Sequence, residues 1–119
     1  YKNYTLSVVE SHQAAKADTS GTAKAIVDTF NGMGIDPITY DDIEKVRDEK
    51  GQVERMDVPG EFLSGHAYHT YRIESKDNTV AFGYRHNVNG RQIYAEGTID
   101  AVTYLAEQVA NNTDKNYSI

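Results

Sequence analysis

Two alternating stretches in the second half of the chain constrain its fold most strongly. Ala67, His69, Tyr71 and Ile73 occupy every second position of the first stretch, and the same alternation returns between residues 80 and 87. A period of two residues is typical of a β-strand, whose successive side chains point to opposite faces of a sheet. A short polar turn at residues 76–78 separates the stretches. The pattern therefore predicts a β-hairpin.

The rest of the chain predicts one further strand and two helices. Residues 4–10 alternate as a strand, and a polar loop follows at residues 11–20. A helix is then predicted from residue 21 or 22, with Ser20 as its N-cap, to about Gly32, where a glycine suits the end of a helix. Residues 41–48 fit either a short strand or one helical turn. A second helix is predicted from Gln92 to Val109.

These elements predict an α+β domain with a mixed, mostly antiparallel sheet of about four strands and with helices on one face. The other face of the sheet, which includes the tyrosine-bearing side of the hairpin, then has no cover within the chain. The hairpin carries Tyr68, Tyr71 and Tyr84, which we expect to lie in the core or in a subunit interface. We therefore expect an oligomer that assembles through the sheet.

Composition excludes several classes of function. The 119 residues include 12 Lys and Arg against 18 Asp and Glu, a formal net charge of −6. Nucleic acids and anionic membranes attract basic surfaces, so we expect neither as the main partner. The chain has no cysteine, which excludes disulfides, thiolate zinc sites and a cysteine nucleophile. The sequence shows no apolar run of membrane-spanning length and no signal peptide, so we expect a soluble domain in a reducing compartment.

The segment that follows the first predicted strand carries the chemistry. His12 and Lys16 lie in the polar loop, and Ser20 and Gly21 open the helix after it. The unpaired N–H groups and positive dipole of a helix start attract a carboxylate or phosphate, and a glycine lets the backbone approach that anion. Lys16 adds a positive charge, Arg91 offers a forked guanidinium for a second carboxylate, and His12 can exchange a proton near neutral pH. The segment predicts a site for a small acid.

Simpler structural interpretations compete with this one. A Ser-Gly-Thr before a helix is most often only a cap, and a single histidine in a loop is most often a surface residue. His66 and His69 lie three positions apart on a predicted strand, so they point to opposite faces and make a poor metal pair. The acidic residues between 36 and 49 lack the spacing of a calcium loop and fit a solvated face. We therefore expect no metal site.

A longer set of residues resembles the signature of the dihydrodipicolinate reductases (4-hydroxy-tetrahydrodipicolinate reductases), enzymes of lysine biosynthesis. The matching residues are the run Glu10-x-His12-x-x-x-Lys16-x-Asp18-x-Ser20-Gly21-Thr22 and the stretches 58–61, 65–69 and 86–98. The resemblance covers the chain from residue 4 to about residue 109. Gln13 stands where the commonest bacterial form has a second histidine, and Thr19 stands where that form has a proline. At both positions the chain resembles the plant-like branch of the family.

The resemblance implies that residues 1–119 are the C-terminal, substrate-binding and tetramerisation domain of a two-domain reductase. The family's N-terminal domain binds NAD(P)H, and no Gly-x-Gly-x-x-Gly fingerprint for that cofactor occurs in this sequence. We therefore expect the chain alone to bind no cofactor and to be inactive. Family members act on a cyclic dicarboxylate, in the bacterial cytoplasm or the plastid stroma.

The resemblance also implies a role for each site residue. His12 or Lys16 supplies the proton that accompanies hydride transfer, which makes both of them candidate catalytic residues. The substrate carboxylates are held by Gln13, Ser20, Gly21, Thr22 and Arg91. A glutamine can hydrogen-bond a carboxylate but cannot carry a proton, so Gln13 is expected only to bind. The sheets of four chains, or of two, are expected to pack together as a homotetramer or homodimer.

Two other functions are alternatives to this interpretation. One is a non-catalytic assembly module that keeps the interface without any chemistry. The other is a small dicarboxylate-binding domain of a different two-domain oxidoreductase. Binding of pyridine-2,6-dicarboxylate, a planar analogue of the ring substrate, distinguishes the assembly module from a domain that binds dicarboxylates.

Overall fold

The computed structural model describes residues 1–111. The chain divides into two units, Tyr1–Asn89 and a second that begins at Gly90. The first unit contains strands β1 (Thr5–His12), β2 (Glu44–Val46), β3 (His66–Glu74) and β4 (Ala81–Asn89), and helices α1 (Gly21–Asn31) and α2 (Glu49–Met56). The second unit contains a 3-10 turn, Gln92–Tyr94, and helix α3 (Ala95–Ala110).

The four strands form one mixed sheet in the order β2-β1-β3-β4. β1 pairs antiparallel with β3, β3 pairs antiparallel with β4, and β2 runs parallel to β1. An α+β fold around a mostly antiparallel sheet of four strands is thereby confirmed, and the predicted hairpin is β3–β4. Asn78, with a φ of 60°, takes the left-handed conformation that helps to close the turn.

Two apolar clusters lie on opposite faces of the sheet. Alternate residues of a strand point to opposite faces, so β3 contributes Tyr71 and Ile73 to one cluster and Tyr68 to the other. The larger cluster contains Leu6, Val8, Ala23, Val27, Ile35, Ile43, Tyr71 and Ile73. The smaller cluster contains Val46, Met56, Val58 and Tyr68. The helical cover, expected on one face, is therefore divided between α1 on the first face and α2 on the second.

Local boundaries differ from the predictions in three places. β1 extends two residues further, because Ser11 and His12 pair with residues of β3. Residues 40–48 contain both of the alternatives weighed for them, a 3-10 turn at Tyr40–Asp42 and the short strand β2. The sequence does not predict α2, because this helix buries only Gly51, Gln52 and Met56 and so shows no apolar stripe.

The tyrosine-bearing side of the hairpin is covered in part. Tyr68 and Tyr71 are only 5% and 1% exposed because they enter the two clusters. They are core residues, one of the two alternatives expected for them, so the expectation of an uncovered face is wrong at both positions. Tyr84 is 41% exposed, and every residue of β4 apart from Val88 is exposed. The open part of the sheet is therefore its edge strand, β4.

Helix α3 exposes its apolar side chains in this chain. None of its residues is buried, and Ile99 and Val102 are both 63% exposed. The helices within residues 1–111 are too short or too polar to cross a membrane.

Candidate anion-binding and proton-transfer site

Glu10 is a fully buried carboxylate near the end of β1. Arg47 Nη2 donates to its Oε1 at 2.8 Å, and the Ser20 backbone N–H donates to its Oε2 at 3.1 Å. Burial raises the pKa of Glu10, but its interactions with the His12 ring, the Arg47 guanidinium and the Ser20 N–H outweigh burial and lower the pKa to about 2. Glu10 is therefore an ionised, paired carboxylate beneath the start of α1.

Arg47 follows β2 directly and holds the loop of residues 13–19 in place. Its Nε donates to the Lys16 carbonyl at 2.8 Å and its Nη2 donates to the Asp18 carbonyl at 3.3 Å. Its Nη1 donates to the Glu10 carbonyl at 3.4 Å. A planar guanidinium with five N–H donors suits several fixed acceptors at once. One side chain thus joins β1, β2 and the loop that carries Lys16.

The first turn of α1 presents backbone donors to an incoming anion. Ser20 is the N-cap, and its Oγ accepts from the Ala23 N–H at 3.5 Å. The first N–H groups of a helix have no partner within the helix. In the part of the chain that the structure describes, the N–H groups of Gly21 and Thr22 are thus available to a ligand. A Cβ added at Gly21 would meet no atom within 4 Å, so the space there is open.

Charge around the helix start favours an anion. Lys16 Nζ lies 3.4 Å from Asp18 Oδ1, and the Asp18 side chain is 80% exposed. A pair of this kind is weak, so the Lys16 ammonium can turn to a ligand with little loss. The negative charge of Glu10 is balanced by Arg47 and therefore does not repel an anion at Ser20.

His12 and His69 lie against the Oε2 side of Glu10. His12 Nε2 is 3.6 Å from Glu10 Oε2, and His69 Nε2 is 3.7 Å from the same oxygen. Burial, followed by the nearby charge of His12, lowers the pKa of His69 to about 4, so His69 is neutral at pH 7. His12 is only 8% exposed, so it is a buried strand residue and not the loop residue that the sequence suggested.

The structure places the predicted site residues other than His12 in three groups. Lys16 and Ser20 are both tied to the Glu10–Arg47 pair, and Gly21 and Thr22 follow Ser20 in α1. Gln13 instead lines an open groove of about 500 Å³, whose other lining residues are Ala14, Ala15, Glu49, Gly60, Leu63 and Ser64. Arg91 belongs to the second unit, and its proximity to Ser20 stays a prediction. The catalytic and binding roles of all these residues also stay predictions.

The sequence alone does not predict Glu10, Arg47 or His69 as site residues. Glu10 does carry a signal, because it continues the buried alternation of Leu6 and Val8, and a buried carboxylate needs a partner. Arg47 is a single arginine next to an acidic run, and its sequence neighbours do not reveal its contacts. His69 lies opposite Glu10 only through the pairing register of β1 and β3.

The histidine pair considered for a metal divides between the two faces of the sheet, as the strand spacing predicts. His66 lies on the face opposite His69, where its Nε2 is 2.7 Å from Ser11 Oγ and its Nδ1 is 2.8 Å from the Phe62 carbonyl oxygen. Burial lowers the pKa of His66 despite its contact with that carbonyl. His66 and His69 therefore share no ligand position.

The fold and this geometry define the chain as an α+β domain with a helix start and a lysine-bearing loop anchored on a buried Glu–Arg pair. A family model described as "Dihydrodipicolinate reductase, C-terminus" matches residues 1–118, and the chain belongs to this family.

Several plant proteins are similar to almost the whole of this chain. The "4-hydroxy-tetrahydrodipicolinate reductase 1, chloroplastic" of Arabidopsis thaliana is 50% identical over 115 residues, which are 97% of this chain and 33% of that protein. The "Probable 4-hydroxy-tetrahydrodipicolinate reductase 1, chloroplastic" of Oryza sativa subsp. japonica is 45% identical over the same shares. The chain thus spans about one third of the length of the curated relatives that it matches.

Proposed function

We propose that this chain is the substrate-binding and assembly domain of a reductase of lysine biosynthesis, which uses NAD(P)H to reduce 4-hydroxy-tetrahydrodipicolinate to tetrahydrodipicolinate. Family membership and the names of the plant relatives support this proposal. The "chloroplastic" names favour the plastid stroma, whereas the bacterial cytoplasm stays the alternative prediction.

A reductase of this kind requires a nicotinamide cofactor, which supplies the hydride. The sequence of this chain contains no Gly-x-Gly-x-x-Gly fingerprint, so we assign none of its residues to that cofactor. The chain alone is accordingly proposed to be inactive. Whether the full-length enzyme prefers NADH or NADPH depends on residues that this chain does not supply.

The observation that carries the proposal is the shared anchoring of the helix start and the Lys16 loop on Glu10 and Arg47. Glu10 accepts from the Ser20 N–H at 3.1 Å, and Arg47 donates to the Lys16 carbonyl at 2.8 Å. Fixed N–H donors hold a carboxylate without needing to reorganise when it arrives, and the Lys16 ammonium can turn from Asp18 to join them. One carboxylate of the ring substrate is placed at Ser20, Gly21 and Thr22 with Lys16. Gln13 is proposed to hold the second carboxylate.

The 4-hydroxyl group of the substrate must leave as water, which produces a conjugated ring. Hydride addition to that ring leaves an electron pair on the neighbouring carbon, and that carbon must then take a proton. His12 and Lys16 are the two candidate donors. Within residues 1–111, His12 Nε2 has no hydrogen-bond partner, and the Lys16 ammonium contacts only the exposed Asp18 carboxylate. Either group can therefore direct a proton to a ligand without breaking a strong bond.

Pyridine-2,6-dicarboxylate binding tests the proposal. This chain should bind the compound in isothermal titration calorimetry, and Lys16→Ala should weaken binding roughly tenfold or more, the effect of losing one charge-assisted hydrogen bond. Lys76→Ala is the matched control, because it removes the same charge from the exposed hairpin turn. An equal loss of affinity in Lys16→Ala and Lys76→Ala would show that the effect comes from net charge alone. No binding by the unmodified chain would overturn the dicarboxylate site.

A non-catalytic assembly module is the second candidate function. The exposure of the edge strand β4 favours it, because this strand leaves Phe82 and Tyr84 40% and 41% exposed. An assembled chain that binds no dicarboxylate would support this candidate over the first.

A further inference from the structure

We propose that Glu10, His12 and His69 form a binding site for a divalent transition metal ion of the Zn²⁺ class. One carboxylate oxygen of Glu10 and one nitrogen from each imidazole lie within 4.8 Å of one another, and all three residues are buried. The proposal depends on these three side chains alone and not on the proposed function.

The spacing of the three atoms fits a shared ion better than direct hydrogen bonds. His12 Nε2 and His69 Nε2 lie 3.6 Å and 3.7 Å from Glu10 Oε2, which is beyond the range of an N–H···O hydrogen bond. Ligands held tetrahedrally at about 2.0–2.1 Å from zinc are roughly 3.3–3.5 Å apart. The side chains therefore need only small movements to close on an ion.

Unpaired nitrogens point to the same conclusion. Within the described part of the chain, neither ring nitrogen of His69 nor Nε2 of His12 has a hydrogen-bond partner, although these residues are only 2% and 8% exposed. A buried polar atom without a partner is costly, and native proteins contain few of them. A metal ion would satisfy one nitrogen of each imidazole together with the Glu10 oxygen.

The surroundings of the cluster determine which ions fit. Arg47 and the Ser20 N–H orient the Glu10 carboxylate, as outer hydrogen bonds do around many metal ligands. The Arg47 charge, however, reduces the pull of this single carboxylate on a cation. Ions that bind imidazole strongly, such as Zn²⁺ and Co²⁺, are therefore expected here, whereas Mg²⁺ and Ca²⁺ require several oxygen ligands.

A bound ion would have a functional consequence. The nitrogen that it occupies on His12 is the one available as a proton donor in the proposed reaction. Zinc-class ions would therefore inhibit the full-length enzyme if His12 is that donor.

Metal binding can be measured on this chain directly. Zn²⁺ should raise the thermal unfolding midpoint by several degrees, since a ligand that binds only the folded state stabilises it. Mg²⁺ should leave the midpoint unchanged. Co²⁺ should produce the visible absorption of a tetrahedral site, and Zn²⁺ should displace it.

Two matched variants locate the site. His69→Phe removes one ligand, and the apo variant should remain folded because the lost nitrogens have no protein partner within residues 1–111. This variant should lose the Zn²⁺-dependent rise of the unfolding midpoint and should bind Zn²⁺ at least tenfold more weakly. His86→Phe changes the ring stacked on His69 at 6.1 Å and should keep both signals. A chain that shows no Zn²⁺ shift, or a His69→Phe variant that retains the Co²⁺ absorption, would overturn the proposal.

Discussion

Tyr71 carries a buried hydroxyl that, among residues 1–111, has no hydrogen-bond partner. Its ring stacks on Tyr84 at 4.7 Å, a contact that phenylalanine would keep. We expect Tyr71→Phe to leave the free energy of unfolding unchanged or to raise it by up to about 3 kcal/mol, the penalty for a buried unsatisfied group. Urea unfolding at pH 7 measures this change.

The same variant tests a dependence on alkaline pH. Burial, followed by the neighbouring Tyr84, raises the pKa of Tyr71 to about 12, from an ordinary value of about 10. Between these values the unfolded chain loses the phenolic proton and the folded chain keeps it, so stability falls as pH rises through this window. The free energy of unfolding of Tyr71→Phe should therefore fall less than that of the unmodified chain between pH 10 and pH 12.

Tyr40→Phe is the control for the measurement at pH 7. The Tyr40 hydroxyl donates to Asp28 at 2.7–2.8 Å, so its removal breaks a hydrogen bond and should not raise stability at pH 7. A loss of stability in Tyr71→Phe equal to that in Tyr40→Phe would show that the Tyr71 hydroxyl has a partner.

Local chemistry made some of the site predictable at the residue scale. Ser20 has the side chain of an N-cap and is one, because capping depends only on residues a few positions away. The burial of His12 was not predictable in this way. It depends on two additional pairs between β1 and β3, which lie more than 50 positions apart in the sequence.

At the scale of secondary structure elements, Arg47 links β2 to the end of β1 and to the loop of residues 13–19. We expect Arg47→Ala to destabilise the chain by about 3–5 kcal/mol, because Glu10 would remain as a buried carboxylate without its charged partner. Arg47→Lys should be milder, but a single ammonium cannot replace all five hydrogen bonds of the guanidinium, the fifth of which goes to the Val46 carbonyl. Chemical denaturation measures both variants.

Arg55→Ala is the matched control for Arg47. Arg55 pairs with Glu44 at 2.9 Å, and both side chains are more than half exposed, so this variant should unfold almost as the unmodified chain does. Glu10→Gln should partly rescue Arg47→Ala, because it removes the unpaired charge. Similar losses of stability in Arg47→Ala and Arg55→Ala, with no rescue by Glu10→Gln, would contradict this prediction. They would show that the buried Glu10–Arg47 pair contributes no more to stability than an exposed pair.

The elements themselves were predictable in proportion to the strength of their patterns. The β3–β4 hairpin and α1 follow from alternation and from capping, and the structure confirms both. α2 has a mostly polar sequence and forms where Asp48 accepts from the Gly51 N–H at 2.8 Å. Such a helix depends on its cap and on the second cluster, neither of which is visible as an apolar period.

On the scale of the whole molecule, the edge strand β4 is the part of the sheet that most needs a partner. Its outer edge presents backbone groups that can pair with another chain, and Phe82 and Tyr84 are 40% and 41% exposed. Unsatisfied edges and exposed aromatic residues are both typical of subunit interfaces. We therefore retain the proposal that copies of this chain assemble through the sheet.

Phe82→Glu tests this assembly. The unmodified chain should behave as a tetramer in sedimentation equilibrium, and Phe82→Glu should shift it to smaller species because a carboxylate would be buried at the interface. Val53→Glu is the matched control: Val53 lies on α2 and is 45% exposed, so the same change there should leave the tetramer intact. A monomeric unmodified chain would refute assembly through this domain. A Phe82→Glu variant that remains tetrameric, with unaltered thermal stability, would place the interface away from β4.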